Sequence, residues 1–430
     1  MDTNLSWERY AALLVREVVP ALGCTDPVAI ALASATARTA LKLDPDRIAV
    51  LLSRNMLKNA MAVAIPGAGA SGVDLAAALG AFGGDPAAGL RVLQGVLPAD
   101  VERARLFIRE GRVTVALKDT TEALYIEVRH TTGDHDSRAI IQGDYARFTV
   151  VETDGKGLPV PVQVSPESGA APVAAPVKGL DVRSIYDYAT GAPFESIRFI
   201  LEAARMNTRL STEGLTGTYG LGLGKALAES LQGKGLQHDA ATQAAAETAA
   251  AVDARMGGCF LPAMTNSGSG NQGIVATMPV VVIARDRGST DEDLARALIL
   301  SHLVSIHIRQ HFDRLSAMCG TIPAATGSAC GMVYLAGGGY EQVAAAIANM
   351  AGGLTGMVCD GAKAGCALKS SSAVQAAMQA TMLALRGVRV SGKDGIVHPD
   401  IECVIDNMGR LSSEGMKQVD TLMLEMMLAK

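Results

Sequence analysis

Between Leu315 and Cys359 the chain carries a single charged side chain, Glu341. A stretch so poor in charge belongs either in a membrane or in the interior of a protein. A spanning helix needs about 20 predominantly apolar residues. Here Pro323, many Ser and Thr, and glycines such as Gly320, Gly327, Gly331 and Gly337 interrupt the run, which therefore reads as buried protein interior. With 430 residues the chain is long enough for a large core. Hydrophobic residues reach 49% while aromatics are only 4% and glycines number 46, so the apolar content is mostly Ala, Val, Leu and Met. That mixture favours helices packed closely through small side chains.

The fold expected is mainly α: a helical catalytic domain with a small α+β insert built on an antiparallel sheet. Apolar residues recur at three- and four-residue steps from Trp7 to Leu22, which predicts an amphipathic helix. It delivers Cys24 to a break before a second helix, whose first turn accepts Pro27. A short strand is expected over residues 47–53. From about residue 93 the texture changes: 113–117, 124–130 and 146–152 alternate apolar and polar residues, with a turn at Gly133 and Asp134. Residues 1–92 are thus assigned to the first part of the helical domain, 93–180 to the insert and its Pro- and Ala-rich exit linker (165–179), and 181–430 to the remainder of the helical domain.

A net charge of −5 and a pI of about 5.9 supply no basic field to hold a phosphate backbone, which argues against nucleic-acid binding. The N-terminus lacks the basic start and apolar run of a signal peptide, so a reducing, cytoplasmic setting without membrane attachment is expected. Under those conditions seven cysteines are better suited to metal or catalytic use than to disulfides, although any one of them is also a good small core residue.

Cys359 and Cys366, separated by Gly361 and Gly365 and flanked by Lys363 and Lys369, permit a loop that wraps a metal centre. The lysines offset thiolate charge. Two core cysteines in a glycine-rich connection is the plain alternative. Cys319 and Cys330, each followed by glycine, are equal candidates for a third ligand on spacing alone. Three thiolates leave one coordination position open, which suits a Lewis-acid catalyst. The run Ser267, Gly268, Ser269, Gly270, Asn271, Gln272, Gly273 could aim backbone N–H groups at an anion, or simply form a turn. His302, His307 and His311 share one predicted helix; without a metalloprotease glutamate after His307, they read as packing or supporting groups.

Considered as a set, Gly23-Cys24-Thr25-Asp26-Pro27, Lys58-Asn59-Ala60 leading to Ile65-Pro66-Gly67, the run from Ser267 to Gly273, Cys319-Gly320, and Cys359 with Cys366 resemble the L-cysteine desulfidase family. That family is related to the alpha chain of bacterial iron-sulfur L-serine dehydratases, and the resemblance extends from about residue 20 to the C-terminal region. It implies a 4Fe-4S cluster held by Cys319, Cys359 and Cys366, with Cys259, Cys330 and Cys403 left to packing. It implies Cys24 as catalytic base, its thiol helped by the start of a helix. Thr25, Lys58, Asn59, Ser267, Gly268, Ser269, Gly270, Asn271, Gln272 and Lys363 would bind a small amino acid. Asp26 stands where the family more usually has glutamate, and Ala68 where it often has threonine. The implied reaction is β-elimination without pyridoxal phosphate, converting L-cysteine to pyruvate, ammonia and sulfide. L-Serine dehydration by the same route is the near rival; a zinc protein and a non-catalytic amino-acid-binding or redox-sensing protein are more distant ones. A homo-oligomer is compatible with the sequence.

Overall fold

The structure, a computed structural model, describes residues 3–160, 180–232, 239–313 and 315–429. The stretch read as an exit linker, 165–179, lies outside the described residues. Among the described residues the chain is mainly α, with a small six-stranded sheet and a separate two-stranded ladder. Its larger core is built from helices rich in Ala, Ile, Leu and Val, among them Gly270–Arg287, Asp291–Gln310, Thr321–Leu335, Tyr340–Leu354 and Cys366–Leu385.

Most of the nearly uncharged stretch is interior, and Gly327 and Gly331 sit within a helix, whereas Gly320 precedes it and Gly337 follows it. A Cβ on Gly327 would lie 2.2 Å from the Ser301 carbonyl oxygen, and one on Gly331 would lie 2.7 Å from that of Ala297. Glycine at both positions lets Thr321–Leu335 press against Asp291–Gln310, and packing at that distance outweighs the propensity cost of glycine. Pro323 falls in the first turn, where its missing N–H costs nothing. Among the described residues no helix is long and apolar enough to cross a membrane. His307 and His311 fasten Asp291–Gln310 to Ile401–Arg410 through Glu402 (2.7 Å) and Asp406 (3.1 Å).

The sheet runs in the order 113–117, 47–52, 125–132, 135–142, 148–153, 156–157. It is mixed, not wholly antiparallel: Arg47–Leu52 pairs parallel with Val113–Leu117 and antiparallel with Tyr125–Thr132. A strand from before residue 93 is therefore a central member of the sheet expected within 93–180. Its alternating burial places Ile48, Val50 and Leu52 on the same core as the helices Thr25–Leu41 and Val73–Gly83. Gly80 brings those two helices together, since a Cβ there would meet the Ala31 carbonyl oxygen at 2.2 Å. The first helix stops at Glu17, short of the expected Leu22, because Pro20 and Ala21 form a short ladder with Ala263–Met264. Thr25–Leu41 and Gly270–Arg287 thereby begin close to each other.

Two buried histidines tie these layers. His130 shares a 2.9 Å hydrogen bond with the Ser34 hydroxyl. His302 lies between the Asn266 amide at 3.0 Å and the Thr277 hydroxyl at 3.1 Å. Thr277 donates its own proton to the Gly273 carbonyl, so His302 donates from Nε2 and receives the Asn266 N–H at Nδ1. Burial pushes both imidazoles down to about 3. The unfolded chain takes up these protons near pH 6.5, whereas the folded one takes them only near pH 3. Stability should therefore be full above pH 6.5 and fall below it, by up to about 1.4 kcal/mol per pH unit for each histidine. Chemical denaturation between pH 7 and pH 4 checks this, with a shallower fall expected for His302→Gln than for the parent.

Candidate functional site

Cys24 caps the helix Thr25–Leu41 from an extended conformation and is buried. Gly23 before it has φ +69°, and a Cβ there would strike Pro66 at 2.8 Å, so the turn carrying Cys24 is seated on the Ile65-Pro66-Gly67 turn. The Cys24 thiol donates to Asp26 Oδ2 at 3.2 Å. Asp26 Oδ1 also accepts from the Tyr145 hydroxyl at 3.1 Å and from Asn59 Nδ2 at 3.5 Å. Burial, followed by the Asp26 charge, pushes the Cys24 thiol up to about 12, while Arg255 pulls in the opposite direction. This corrects the expectation that the helix start would ease its ionisation: desolvation outweighs the dipole. Thr25 follows in the first turn, half-buried.

The segments around Cys319 and Cys359 meet as a short antiparallel bridge. Cys319 N–H donates to the Met357 carbonyl at 2.9 Å, Cys359 N–H donates to the Ala317 carbonyl at 2.6 Å, and Met318 is paired with Val358. With Met318 opposite Val358, alternation puts Cys319 and Cys359 on one face as diagonal neighbours, a spacing of roughly 7–8 Å between backbones. Cys366 opens the helix Cys366–Leu385, and its N–H donates to the Lys363 carbonyl at 2.9 Å. Burial first, then the charges of Cys359 and Cys366, raise the Cys319 thiol. Burial chiefly raises Cys366, with Cys359 adding to it. Thr321 donates to Cys319 Sγ at 3.1 Å. Among the described residues no three His, Cys, Asp or Glu side chains gather tightly enough to hold a single metal ion.

The lysines hold this loop. Lys58, only 2% exposed, ion-pairs with Asp420 at 2.5 Å and donates to the Cys359 carbonyl at 3.1 Å. Lys369 donates to the Val358 carbonyl at 2.9 Å and pairs with Asp360, which Lys363 also approaches at 3.5 Å. The ammonium groups of Lys58 and Lys363, expected to meet a substrate carboxylate, are thus already engaged by protein carboxylates. Gly361 has φ +90°, and a Cβ there would lie 2.3 Å from the Lys58 carbonyl oxygen. Gly361→Ala adds about 1–2 kcal/mol of backbone strain and displaces the loop. Anaerobic iron titration of this variant should show lower metal uptake with a small drop in melting temperature; unchanged uptake would show that the loop tolerates the shift.

In the glycine-rich run, Ser267 N–H is taken by the Glu17 carbonyl, Ser269 N–H by that of Asn266, and Gly273 N–H by that of Ser269. Ser269 Oγ caps Gly270–Arg287 by accepting from Gln272 N–H. The run is a helix-capping turn more than an open row of donors. Gly270 admits Arg255, whose Nε would lie 2.2 Å from a Cβ, and Gly273 admits the backbone of Met264 and Thr265. His302 orients Asn266, whose Oδ1 accepts from Gln272 Nε2 at 2.9 Å. Gln272 Oε1 is left buried without a partner, directed toward Gly320 beside Cys319.

Contacts therefore link Cys24 through Asp26 and Asn59 to Gly361, through Lys58 to Cys359, from Cys359 to the Cys319 segment, and from Gly320 to Gln272. Cys24, Cys259 and Cys366 pack in one small apolar cluster. A cavity of about 750 Å³ opens beside it, lined by Ile65, Gly67, Tyr219, Met256, Cys259 and Ala364. Cys330 is buried in the helical core, and Cys403 lies on Ile401–Arg410. Two residues of this neighbourhood were missed in the sequence. Asp420 lies far along the chain, and its only signal is an acid in the first turn of the last helix, Lys417–Leu428. Arg255 was signalled only as a cation ending an Ala-rich helix before Gly257 and Gly258.

A family model for the serine dehydratase alpha chain matches residues 87–425. The chain is 48% identical to a "UPF0597 protein" of Oleidesulfovibrio alaskensis over 99% of this chain and 98% of that one. It is 44% identical to a "UPF0597 protein" of Bacteroides thetaiotaomicron over 97% of each. With a namesake in Aeromonas hydrophila the identity is 43%, over 99% of this chain and 97% of the relative.

Proposed function

The chain belongs to the serine dehydratase alpha chain family, and on that premise we propose that it is an iron-sulfur lyase catalysing β-elimination from a small amino acid, L-cysteine above all. The observation that carries this reading is the meeting of the Cys319, Cys359 and Cys366 segments next to a buried Cys24–Asp26 pair. The donor set fits a 4Fe-4S cluster: Cys319 and Cys359 share one face of the 317–319 and 357–359 bridge, Cys366 opens the helix after the same loop, two lysines, Lys363 and Lys369, share the single carboxylate of Asp360, and no fourth cysteine is assigned to the set. Such a cluster would be held by Cys319, Cys359 and Cys366 and would supply a Lewis acid for the leaving thiolate or hydroxide.

The remaining steps fall to the chain's own groups. Cys24 Sγ would take the α-proton as its own proton passes to Asp26 Oδ2, so that no free thiolate forms in a buried setting. Tyr145 and Asn59 keep the Asp26 carboxylate in place for that transfer. Loss of the α-proton and of the β-substituent gives aminoacrylate, whose imine tautomer hydrolyses to pyruvate and ammonia. Thr25 and the turn from Ser267 to Gln272 would border the amino acid. No pyridoxal phosphate is required by this route. Exposed iron chemistry and seven free thiols suit a cytoplasmic, reducing setting.

L-Serine is the second substrate to weigh, because the matching family model describes a serine dehydratase. Anaerobically reconstituted protein assayed for pyruvate and sulfide decides between them. Equal yields of pyruvate and sulfide from L-cysteine, formed faster than pyruvate from L-serine, are expected. Faster turnover of L-serine reverses the substrate order, and iron-loaded protein inert toward both would overturn the lyase reading.

A further inference from the structure

Arg255 is 6% exposed, and the groups that hold it are neutral. Nη2 donates to the Gly23 carbonyl at 2.8 Å, Nη1 donates to Asn271 Oδ1 at 2.9 Å, and Nε has no hydrogen-bond partner. Among the described residues no carboxylate pairs with it: Asp253, two positions earlier, accepts from the N–H groups of Leu221 and Gly224, and Asp26 accepts from Cys24, Tyr145 and Asn59. A guanidinium buried without a counter-charge is unfavourable, and an arriving anion relieves that cost. Arg255 is also specially accommodated, since Gly270 clears the volume that it occupies.

Its position indicates which anion. The carbonyl that it holds belongs to Gly23, the neighbour of Cys24, and its other partner lies in the glycine-rich turn. Met256, the next residue, lines the 750 Å³ cavity. Lys58 and Lys363 are already paired with carboxylates. We infer that Arg255 is the substrate-binding residue that anchors the α-carboxylate of the amino acid, with the α-carbon set on the Cys24 side. The inference rests on the amino-acid lyase reading for the identity of the ligand. A planar guanidinium with unspent N–H groups suits a carboxylate and gives it a fixed orientation.

The test compares the parent with Arg255→Gln and Arg255→Lys, each anaerobically reconstituted and measured for iron content and melting temperature. L-Alanine, which has the carboxylate and no leaving group, and L-alaninamide, which lacks the charge, are titrated calorimetrically. The parent should bind L-alanine and not L-alaninamide. Arg255→Gln should weaken L-alanine binding and raise the KM for L-cysteine by about a hundredfold, with kcat changed far less, iron content unchanged and partial recovery in Arg255→Lys. An Arg255→Gln protein that keeps its iron and binds L-alanine within about threefold of the parent would overturn the assignment, as would a parent that binds L-alaninamide equally well or fails to bind L-alanine. Should no variant turn over L-cysteine or L-serine while L-alanine binding still depends on Arg255, the lyase reading falls and the anchor stands.

Discussion

Cys24→Ala should lower turnover by about a thousandfold while leaving bound iron unchanged. Alanine fits the space of a buried cysteine, and Asp26 keeps its hydrogen bonds from Tyr145 and Asn59, so the fold loses little. What disappears is the sulfur that connects the α-proton to the Asp26 oxygen. Iron content, the absorbance spectrum and kcat, measured on the same sample, separate these effects. Full activity in Cys24→Ala would remove Cys24 from the mechanism, and loss of iron would move it from chemistry to assembly.

An effect of another kind is expected at the three proposed ligands. Cys319→Ser, Cys359→Ser and Cys366→Ser should each reduce both iron content and activity to near background, because a hard hydroxyl is a poor substitute for a thiolate at iron. The backbone bridge between 317–319 and 357–359 should survive each change, since it depends on main-chain bonds at 2.6 and 2.9 Å. Far-ultraviolet circular dichroism should therefore stay close to that of the parent. Cys403→Ser, on a helix outside the site, is the control and should keep its iron. A ligand variant with full iron and full activity would remove that cysteine from the set.

Much of this site was legible in the residues before any fold was known. The break at Gly23 and Cys24 follows from helical periodicity that stops and resumes at Pro27. The loop from Cys359 to Cys366 follows from its glycines and lysines. Other parts needed the fold. The Asp420 partner of Lys58 is 362 positions away, and no local pattern reports an ion pair across that span. Glycines in Thr321–Leu335 read as interruptions because propensity is local, whereas their cause, the carbonyls of Ser301 and Ala297, belongs to another helix. The strand Arg47–Leu52 was recognised, but its pairing with 113–117 and 125–132 was not, because register across intervening helices leaves no periodic trace. Cys24 shows the same limit for chemistry: position at a helix start suggested an acidic thiol, while its burial and its hydrogen bond to Asp26, visible only in three dimensions, go with a thiol that holds its proton.

All of the proposed chemistry requires a polynuclear iron centre at Cys319, Cys359 and Cys366. Anaerobic reconstitution with iron and sulfide, followed by metal analysis and Mössbauer spectroscopy, tests that most directly. The account predicts about four iron and about four sulfide ions per chain in a brown protein. A colourless protein that takes up zinc and leaves iron in solution would contradict it.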